Sequence, residues 1–441
     1  MSQPISPASA TSRREFLKGS SLAALGTGVL GTLGSLPGAF AASDDTIKVG
    51  LIGCGGRGTG AAIQALSTQG SVKLVAMGDA FPWQIDRSFN DLKAAFAERP
   101  GRFAVDEDHK FIGLDAYQKV INSGVDLVIL ATPPGFRPMQ FEAAVKAGKH
   151  VFMEKPVAVD APGVRQVLAA VEESKKKNLG VGVGLQRHHE APYLETIKRL
   201  QDGAIGNIHT ARVYWNSGGV WTRDRMEGMS EMEYQIHNWY YFTWLSGDHI
   251  VEQHIHNMDV INWLKGEAPV RAQGQGGRQV RTSKKNGEIF DHHFVEFEYK
   301  DGSRMFSQCR HIENCWGSVS EHVQGSKGFA NISGATIQNE SDKWQYRGKR
   351  TDPYQVEHDD LFASIRAGKP INEGAYGAMS SMTAILGRLC TYSGQAIEMA
   401  DALASNLSLQ PKDYNFKAEA PIHPNADGSY PLPVPGLTKV L

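Results

Sequence analysis

The sequence predicts an α/β protein in which a parallel sheet is followed by a mostly antiparallel one. Residues 47–66 read as a strand, a tight turn and a helix, and apolar strands alternate with amphipathic helices up to about residue 205. This alternation is typical of right-handed βαβ units on a parallel sheet. Farther along, strands follow one another through short turns such as Lys300-Asp301-Gly302, which favours antiparallel pairing.

The glycine-rich turn after the first strand indicates a dinucleotide site. Gly53, Gly55 and Gly58 match G-x-G-x-x-G, with Gly56 and Arg57 inside the turn. The first glycine permits the turn, the second lets a pyrophosphate approach the backbone, and the third allows close packing of helix on strand. The helix start also offers free N–H groups to phosphate. The alternative is a plain tight connection.

The end of the next strand favours NAD over NADP. Asp79 closes the apolar run 72–78, and an acidic residue there hydrogen-bonds the adenine ribose and repels a 2′-phosphate. Its alternative role is to cap the turn before Phe81-Pro82.

Composition excludes several classes of function. The chain has 441 residues, a net charge of −1, 21% charged residues and 41% hydrophobic residues. That length suffices for two or more domains, and the balanced charge attracts neither nucleic acid nor anionic lipid. Beyond the N-terminus no stretch of about 20 strongly apolar residues remains, so we expect no membrane anchor in the mature protein.

The N-terminus resembles an export signal. Residues 12–18 read S-R-R-E-F-L-K, a weakly apolar segment follows over 19–37, and Ala39-Phe40-Ala41 offers a cleavage site. We therefore expect residues 1–41 to be a twin-arginine signal peptide that directs a folded protein to the periplasm or the exterior. Folding before export would allow NAD to be bound in the cytoplasm. The alternative is a disordered basic tail.

Polar side chains follow the predicted parallel strands, where ligands of such sheets bind. We expect cofactor contacts there from Thr132, Pro133, Glu154, Lys155 and Arg187, besides the glycine turn and Asp79. Pro156 keeps Lys155 out of helical geometry and so fixes its direction. A lysine there can donate to a substrate hydroxyl or ketone; the alternative is an exposed surface lysine.

A predicted helix over residues 248–265 carries the candidate acid/base group. On a continuous helix Glu252, His256 and Asp259 share one stripe. A carboxylate beside a histidine orients the ring and stabilises its charged form. The alternatives are a purely structural helix or a shared cation; a third ligand at recognisable spacing is lacking, so we expect no metal.

The segment 216–247 is rich in Trp, Tyr and Met and is too long for a simple connection. It is expected to line a site or to form an oligomer contact. Several side chains could meet a sugar ring, and each has a structural alternative: Arg187, His188, Trp221, Arg223, Tyr234, His237 and Trp239. Asp259 is a further candidate for contact with the substrate. The four cysteines, Cys54, Cys309, Cys315 and Cys390, form no metal motif. Cys309 and Cys315 could pair in an oxidising compartment, but folding before export removes the need for a disulfide, and we expect thiols.

Four motifs occur in family order: the glycine turn, Ala131-Thr132-Pro133-Pro134, Glu154-Lys155-Pro156 and His256-x-x-Asp259. With them the sequence resembles the glucose-fructose oxidoreductase / inositol dehydrogenase / rhizopine-catabolism (Gfo/Idh/MocA) family over residues 47–394. The resemblance implies an N-terminal Rossmann domain (46–186) and a C-terminal α/β domain (187–441) with a large, mostly antiparallel open sheet. It also implies a homodimer or homotetramer, and catalytic roles for Lys155 and for His256 as acid/base.

Two positions depart from the family pattern. Glu252 stands where members often carry Asp, and Arg137 stands where they often carry His, so Arg137 is expected near the nicotinamide or the substrate. The leading interpretation is an exported NAD-dependent oxidoreductase acting on CH–OH groups of a sugar, glycoside or polyol. The alternatives are a redox-neutral glycosidase or epimerase that oxidises transiently, and a non-catalytic sugar-binding relative.

Overall fold

Two β-sheets organise residues 45–441, the part of the chain that this computed structural model describes. The predicted signal peptide lies outside the described residues. The first sheet is parallel, with strand order β3-β2-β1-β4-β5-β6, as in dinucleotide-binding folds. Its strands are β1 Ile47–Ile52, β2 Val72–Asp79, β3 Lys110–Ile112, β4 Leu127–Leu130, β5 His150–Met153 and β6 Val181–Val183. The prediction of a Rossmann domain is confirmed.

Helices cover both faces of this sheet because β1 and β4 are apolar and buried throughout most of their length. The helix after the glycine turn begins at Gly56 and buries its alanine-rich face against β1 and β2. The first six helices are α1 Gly56–Ser67, α2 Pro82–Ala95, α3 Ala116–Ile121, α4 Arg137–Lys146, α5 Ala161–Lys176 and α6 Ala191–Gln201.

The second sheet has nine strands in the order β14-β13-β12-β11-β7-β10-β9-β8-β15. All its pairs are antiparallel except β7 with β10, as the mostly antiparallel prediction requires. Its strands are β7 Ile208–Ser217, β8 Arg271–Gly277, β9 His292–Glu298, β10 Arg304–His311, β11 Ser318–Gly325, β12 Gly328–Asn331, β13 Thr336–Asn339, β14 Lys343–Gln345 and β15 Ile397–Glu398. The last three strands were not predicted.

Strict alternation of buried and partly exposed residues along β9 and β10 shows that one face of this sheet is covered. The long helix α12, Gly374–Ser393, supplies much of the cover and is itself buried over most of its length. The remaining helices are α7 Glu231–His237, α8 Thr243–Ser246, α9 His249–Glu252, α10 Ile255–Lys265, α11 Pro353–Arg366, α12 Gly374–Ser393 and α13 Met399–Ala404.

The prediction of one helix over residues 248–265 is wrong. Helix α9 ends at Glu252 and α10 begins at Ile255, so the helix is interrupted at Gln253 and His254. The His254 N–H bonds back to the carbonyl of His249. The spacing argument that placed Glu252 and His256 on one stripe therefore fails.

An aromatic core of its own joins the segment 216–247 to the rest of the chain. Tyr241 and Trp244 are buried there with Phe136 from the turn after β4, and with Tyr430 from the irregular C-terminal stretch. The backbone of the turn after β4 lies close to that of Trp244, since a Cβ at Gly135 in this turn would lie 2.1 Å from the Trp244 carbonyl oxygen. Among residues 45–441, no helix is long and apolar enough to span a membrane.

Candidate active site

The carboxyl end of the parallel sheet opens into a cavity of about 330 Å³, a volume at the lower end of the range for ligand sites. The cavity follows from the fold, because the glycine turn leaves β1 at the point where the strand order reverses. Eight of the predicted cofactor residues line it: Gly53, Gly55, Gly56, Arg57, Gly58, Asp79, Thr132 and Pro133.

The glycine turn is closely packed beneath and open above. Gly53 has φ +94°, and a Cβ there would lie 2.5 Å from the Thr132 nitrogen. A Cβ at Gly58 would lie 1.9 Å from the Gly53 carbonyl oxygen, whereas at Gly55 or Gly56 it would meet nothing within 4 Å. Because the open side faces the cavity at a helix N-terminus, the turn fits a pyrophosphate group.

Asp79 caps the turn and also lines the cavity. Its carboxylate accepts hydrogen bonds from the Cys54 N–H at 2.7 Å and the Phe81 N–H at 3.0 Å, so it caps the turn. It also lines the cavity, where an adenine ribose is expected. Burial raises the pKa of Asp79, while the two backbone bonds and the charge of Arg223 oppose that shift.

An ion pair links the glycine turn to the end of β5. Arg57 Nε lies 2.6 Å from Glu154 Oε1, and the Arg57 guanidinium lies 4.9 Å from the ring centroid of Tyr354. Sequence reasoning missed Tyr354 and its neighbour Glu357, since helix α11 is far along the chain. Glu357 is buried near Glu154, and burial together with that carboxylate raises the pKa of Glu357. Glu154 lies outside the cavity walls, but it holds a residue of that wall.

Lys155 forms a buried pair with Glu252. Its Nζ donates to the Glu252 carbonyl oxygen at 2.6 Å and to Glu252 Oε1 at 3.0 Å. Burial raises the pKa of Glu252, and the charge of Lys155 opposes this. The expectation that Glu252 orients His256 is corrected, because the break between α9 and α10 turns the carboxylate toward Lys155 instead.

The surroundings of His256 disfavour its charged form, in contrast to the expectation from its spacing. The residue is 7% exposed, and its Nδ1 has no hydrogen-bond partner in the described part of the chain. Burial lowers the pKa of His256 well below its usual value, and the positive charges of Lys155 and Arg187 lower it further. A neutral imidazole is the form that accepts a proton.

Arg187 lies in a buried network next to α10 and outside the cavity. It pairs with Glu321 of β11, which also accepts hydrogen bonds from the Tyr193 hydroxyl at 3.0 Å and from Asn257 Nδ2 at 2.5 Å. These bonds fix the β6 end against the second sheet. Arg187 therefore acts on the site through its charge near His256, while its guanidinium is held by Glu321.

Asp259 is paired with His188. The carboxylate accepts from His188 Nε2 at 2.9 Å and from the Ser380 hydroxyl at 2.7 Å. The His188 ring is stacked between Trp263 at 4.2 Å and Tyr376 at 4.4 Å. These contacts hold α10 against α12, and the predicted His256–Asp259 stripe does not bring the two side chains into a hydrogen bond.

Two predicted substrate residues have structural roles. Arg137 is 1% exposed and donates to the Leu130 carbonyl at 2.5 Å and the Thr132 carbonyl at 2.7 Å. It thus supports the turn after β4 from below, and the expectation that it contacts substrate is corrected. Tyr234 is also buried, with the Arg225 guanidinium 4.3 Å from its ring centroid, and it lies outside the cavity walls.

Four other residues expected at a sugar ring lie elsewhere in the site. Trp221, Arg223, His237 and Trp239 line the same cavity as the glycine turn and Asp79. They reach it from the segment 216–247, so this segment covers the dinucleotide site. Spacing alone did not reveal this, since nothing local links residue 221 to residue 79.

In a buried carboxylate–histidine group at the start of α9, the carboxylate is held by hydrogen bonds. Ligand atoms of Asp248, His249 and His293 lie within 4.8 Å of one another. The Asp248 carboxylate accepts from the Phe290 N–H at 3.0 Å and the Tyr392 hydroxyl at 2.6 Å, and from His249 Nδ1 at 2.8 Å. These donors compensate the buried charge. The four cysteines are free thiols, Cys315 exposed and the others buried.

Two family descriptions match most of the described chain. Residues 47–184 match the oxidoreductase family with an NAD-binding Rossmann fold (GFO_IDH_MocA), and residues 193–331 match the GFO/IDH/MocA C-terminal domain. The first match covers β1 to β6 and thus the whole glycine-turn side of the cavity, so the cofactor of this site is NAD.

Individual relatives are similar over shorter segments. A glycosyl hydrolase family 109 protein of Solibacter usitatus is 35% identical over 153 residues, 34% of this chain and 33% of that protein. An inositol 2-dehydrogenase of Rhizobium meliloti is 29% identical over 168 residues, 38% of this chain and 44% of that protein. The matched segments thus span less than half of either relative.

The fold extends farther than the sequence similarity. The crystal structure of an aldose-aldose oxidoreductase from Caulobacter crescentus, complexed with glycerol, superposes with a TM-score of 0.62 at 19% identity. The superposition covers 80% of this chain and 99% of the other. Both domains therefore have the architecture of that solved structure.

Proposed function

This chain belongs to the Gfo/Idh/MocA family of oxidoreductases, and we propose that it transfers a hydride between a CH–OH group of a sugar, glycoside or polyol and a tightly bound NAD. The observation that carries the proposal is the buried Lys155–Glu252 pair, whose lysine charge also acts on the imidazole of His256. Lys155 directly follows Glu154, which is ion-paired to the glycine turn, and its ammonium group is held by Glu252.

The residues divide the chemistry between them. When bound, NAD supplies the acceptor for the hydride that leaves the substrate carbon. Neutral His256 accepts the hydroxyl proton, and the Lys155 ammonium stabilises the negative charge that develops on the oxygen. Glu252 orients Lys155 through the bond at 3.0 Å. In the reverse direction, protonated His256 returns the proton to the alkoxide oxygen.

A second candidate is a redox-neutral glycosidase or epimerase, in which the substrate is oxidised transiently and the hydride is returned. The Solibacter usitatus relative supports this candidate, because it is named a glycosyl hydrolase family 109 protein and is similar to this chain over a third of its length. The inositol 2-dehydrogenase relative favours net oxidation instead. A non-catalytic sugar-binding role would leave the buried Lys155–Glu252 pair without a purpose.

We also propose that the protein is exported folded, by the twin-arginine route, to the periplasm or the exterior. Support comes from Arg13 and Arg14 before a weakly apolar segment and from the small residues Ala39 and Ala41. A cofactor retained through export fits a site that closes around NAD. Assembly into a homodimer or homotetramer is proposed from the family resemblance.

One experiment tests the proposed activity and separates the two candidates. The dinucleotide released from denatured protein is identified by mass and absorbance, and the native protein is then given a panel of glycosides and polyols. The proposal expects NAD or NADH, and reduction of bound NAD by at least one compound. Release of an aglycone without net reduction would favour the glycosidase, and a protein without dinucleotide would contradict both.

A further inference from the structure

The second domain contributes one wall of the cofactor cavity. Besides the glycine turn, the walls include Trp221, Arg223, His237 and Trp239. We call these four side chains the cap. They belong to the segment 216–247, which lies outside the Rossmann domain and folds into the aromatic core described above.

The cap lies at the adenosine end of the cavity. Asp79 ends β2, which in a G-x-G-x-x-G site is where the adenine ribose is recognised. Phe81 and Gln84, next to Asp79 in the chain, line the cavity along with the cap. The charge of Arg223 acts on the Asp79 carboxylate, so the two side chains face the same space.

The cap is held from the side of the second domain by hydrogen bonds. The Arg223 N–H donates to Asn238 Oδ1 at 2.9 Å, and Asn238 Nδ2 donates to the Lys285 carbonyl at 2.7 Å. The Arg223 guanidinium lies 4.5 Å from the ring centroid of Trp221. Trp221 in turn packs edge-on against Trp239 at 5.9 Å. Trp221, Arg223 and Trp239 thus pack against one another.

The cap also rests on the Rossmann domain. The His237 ring meets Phe81 and Trp83 edge-on, each at 5.9 Å, and Phe416 of the C-terminal stretch stacks on Phe81 at 5.8 Å. These contacts join the start of α2 to the second domain. Opening the cavity on this side requires that they separate.

We propose that the cap retains the cofactor by closing over the adenosine half of NAD, so that dissociation requires separation of His237 from Phe81 and Trp83. This inference rests on the proposed function and adds the residues that make binding tight. Aromatic and guanidinium groups suit the purpose, because stacking on a nucleobase is worth about 1–3 kcal/mol for each base. That energy corresponds to a change of about 5-fold to 150-fold in a dissociation constant.

The test measures how fast bound NADH leaves. Protein loaded with NADH is mixed with excess NAD, and the loss of bound-NADH fluorescence gives the dissociation rate. Trp221→Ala and Arg223→Ala are each expected to dissociate NADH at least about tenfold faster than the unmodified protein, since affinity changes act mainly on dissociation. Trp221→Phe is expected to restore most of the retention.

The matched control is Arg225→Ala. Arg225 belongs to the same segment, but it pairs with Glu231, stacks on Tyr234 and lies outside the cavity walls. Its variant should release NADH at the unmodified rate. If Trp221→Ala and Arg223→Ala release NADH within about twofold of the unmodified rate and unfold at an unchanged temperature, the cap proposal is overturned while the proposed function stands. Unmodified protein that binds no dinucleotide would overturn the proposed function as well.

Discussion

The imidazole of His256 lies close to the cationic groups of Lys155 and Arg187, and both groups disfavour its protonation. Glu252, four residues earlier, directs its carboxylate to Lys155. The family motif identified His256 and helix spacing selected Glu252, but the spacing argument assigned the wrong partner to Glu252 because it assumed an unbroken helix. A local break at Gln253 and His254 depends on packing against the second sheet, which no window of sequence contains.

The pH dependence of oxidation should reflect this environment. Because the pKa of His256 is lowered well below its usual value, the imidazole stays neutral, and able to accept a proton, through the range where an ordinary histidine becomes charged. The acid limb of kcat/KM should therefore fall well below pH ~6.5, the ordinary histidine pKa. The assignment would be contradicted if the acid limb lies at or above pH ~6.5 and disappears in His256→Ala.

Asp79 and Arg223 place opposite charges at the adenosine end of the cavity. Asp79→Ala should weaken the binding of NAD, because the ribose loses its hydrogen-bond acceptor. It should also raise the affinity for NADP relative to that for NAD, because Arg223 remains to attract a 2′-phosphate. Dissociation constants for both dinucleotides measure this directly. In Asp79→Ala/Arg223→Ala the gain for NADP should disappear; unchanged discrimination in the single variant would remove Asp79 from ribose recognition.

Among the elements, the turn between β1 and α1 separates packing from binding most clearly. Gly58→Ala places a Cβ 1.9 Å from the Gly53 carbonyl oxygen, whereas Gly55→Ala meets no atom within 4 Å. We predict that Gly58→Ala destabilises the fold by about 3 kcal/mol or more. Gly55→Ala should keep the unfolding temperature of the dinucleotide-free protein and lose NAD affinity.

The control for this pair is Gly101→Ala, where an added Cβ also meets nothing within 4 Å and which lies outside the cavity. It should change neither unfolding temperature nor NAD affinity. Thermal unfolding and NAD titration of the three variants provide the comparison. A stable Gly58→Ala, or a Gly55→Ala that binds NAD normally, would show that the turn is not packed or used as described.

Long apolar strands and amphipathic helices were predictable because their signals are local. For example, every residue of β4 is apolar and buried, as expected of a parallel strand that is covered on both faces. The strands β13 and β14 have four and three residues, and β15 has two. Such short strands show too little alternation to predict, and they form because β12 and β8 offer open edges.

At the scale of the whole molecule, the segment 216–247 differs most from the expectation in where its side chains lie. Its aromatic residues were expected at a sugar, and the structure places Trp221, Arg223 and His237 on the cofactor cavity. That placement depends on contacts such as Phe81 with His237, which are far apart in sequence. Sequence patterns identify which residues carry chemistry, but their place in the site depends on the packing of two domains.

Export is the prediction that concerns the complete chain. Changing Arg13 and Arg14 together to Lys should leave precursor in the cytoplasm, since the twin-arginine pair is the receptor-read part of the signal. Immunoblots of cytoplasmic and periplasmic fractions measure it, with Lys18→Arg as a control that should export normally. Normal export of the double variant would mean that residues 1–41 follow another route.

The central claim is that His256 moves the hydroxyl proton and Lys155 stabilises the charge on the oxygen, while other residues hold NAD. The most direct test is the turnover of His256→Ala on the compound that reduces bound NAD, together with the amount of NAD that copurifies. General acid–base catalysis contributes about 10²–10⁴-fold, so we predict a loss of that size with NAD content unchanged, and the same for Lys155→Ala. Near-normal turnover by His256→Ala would contradict the account, because α10 would then be only a structural helix.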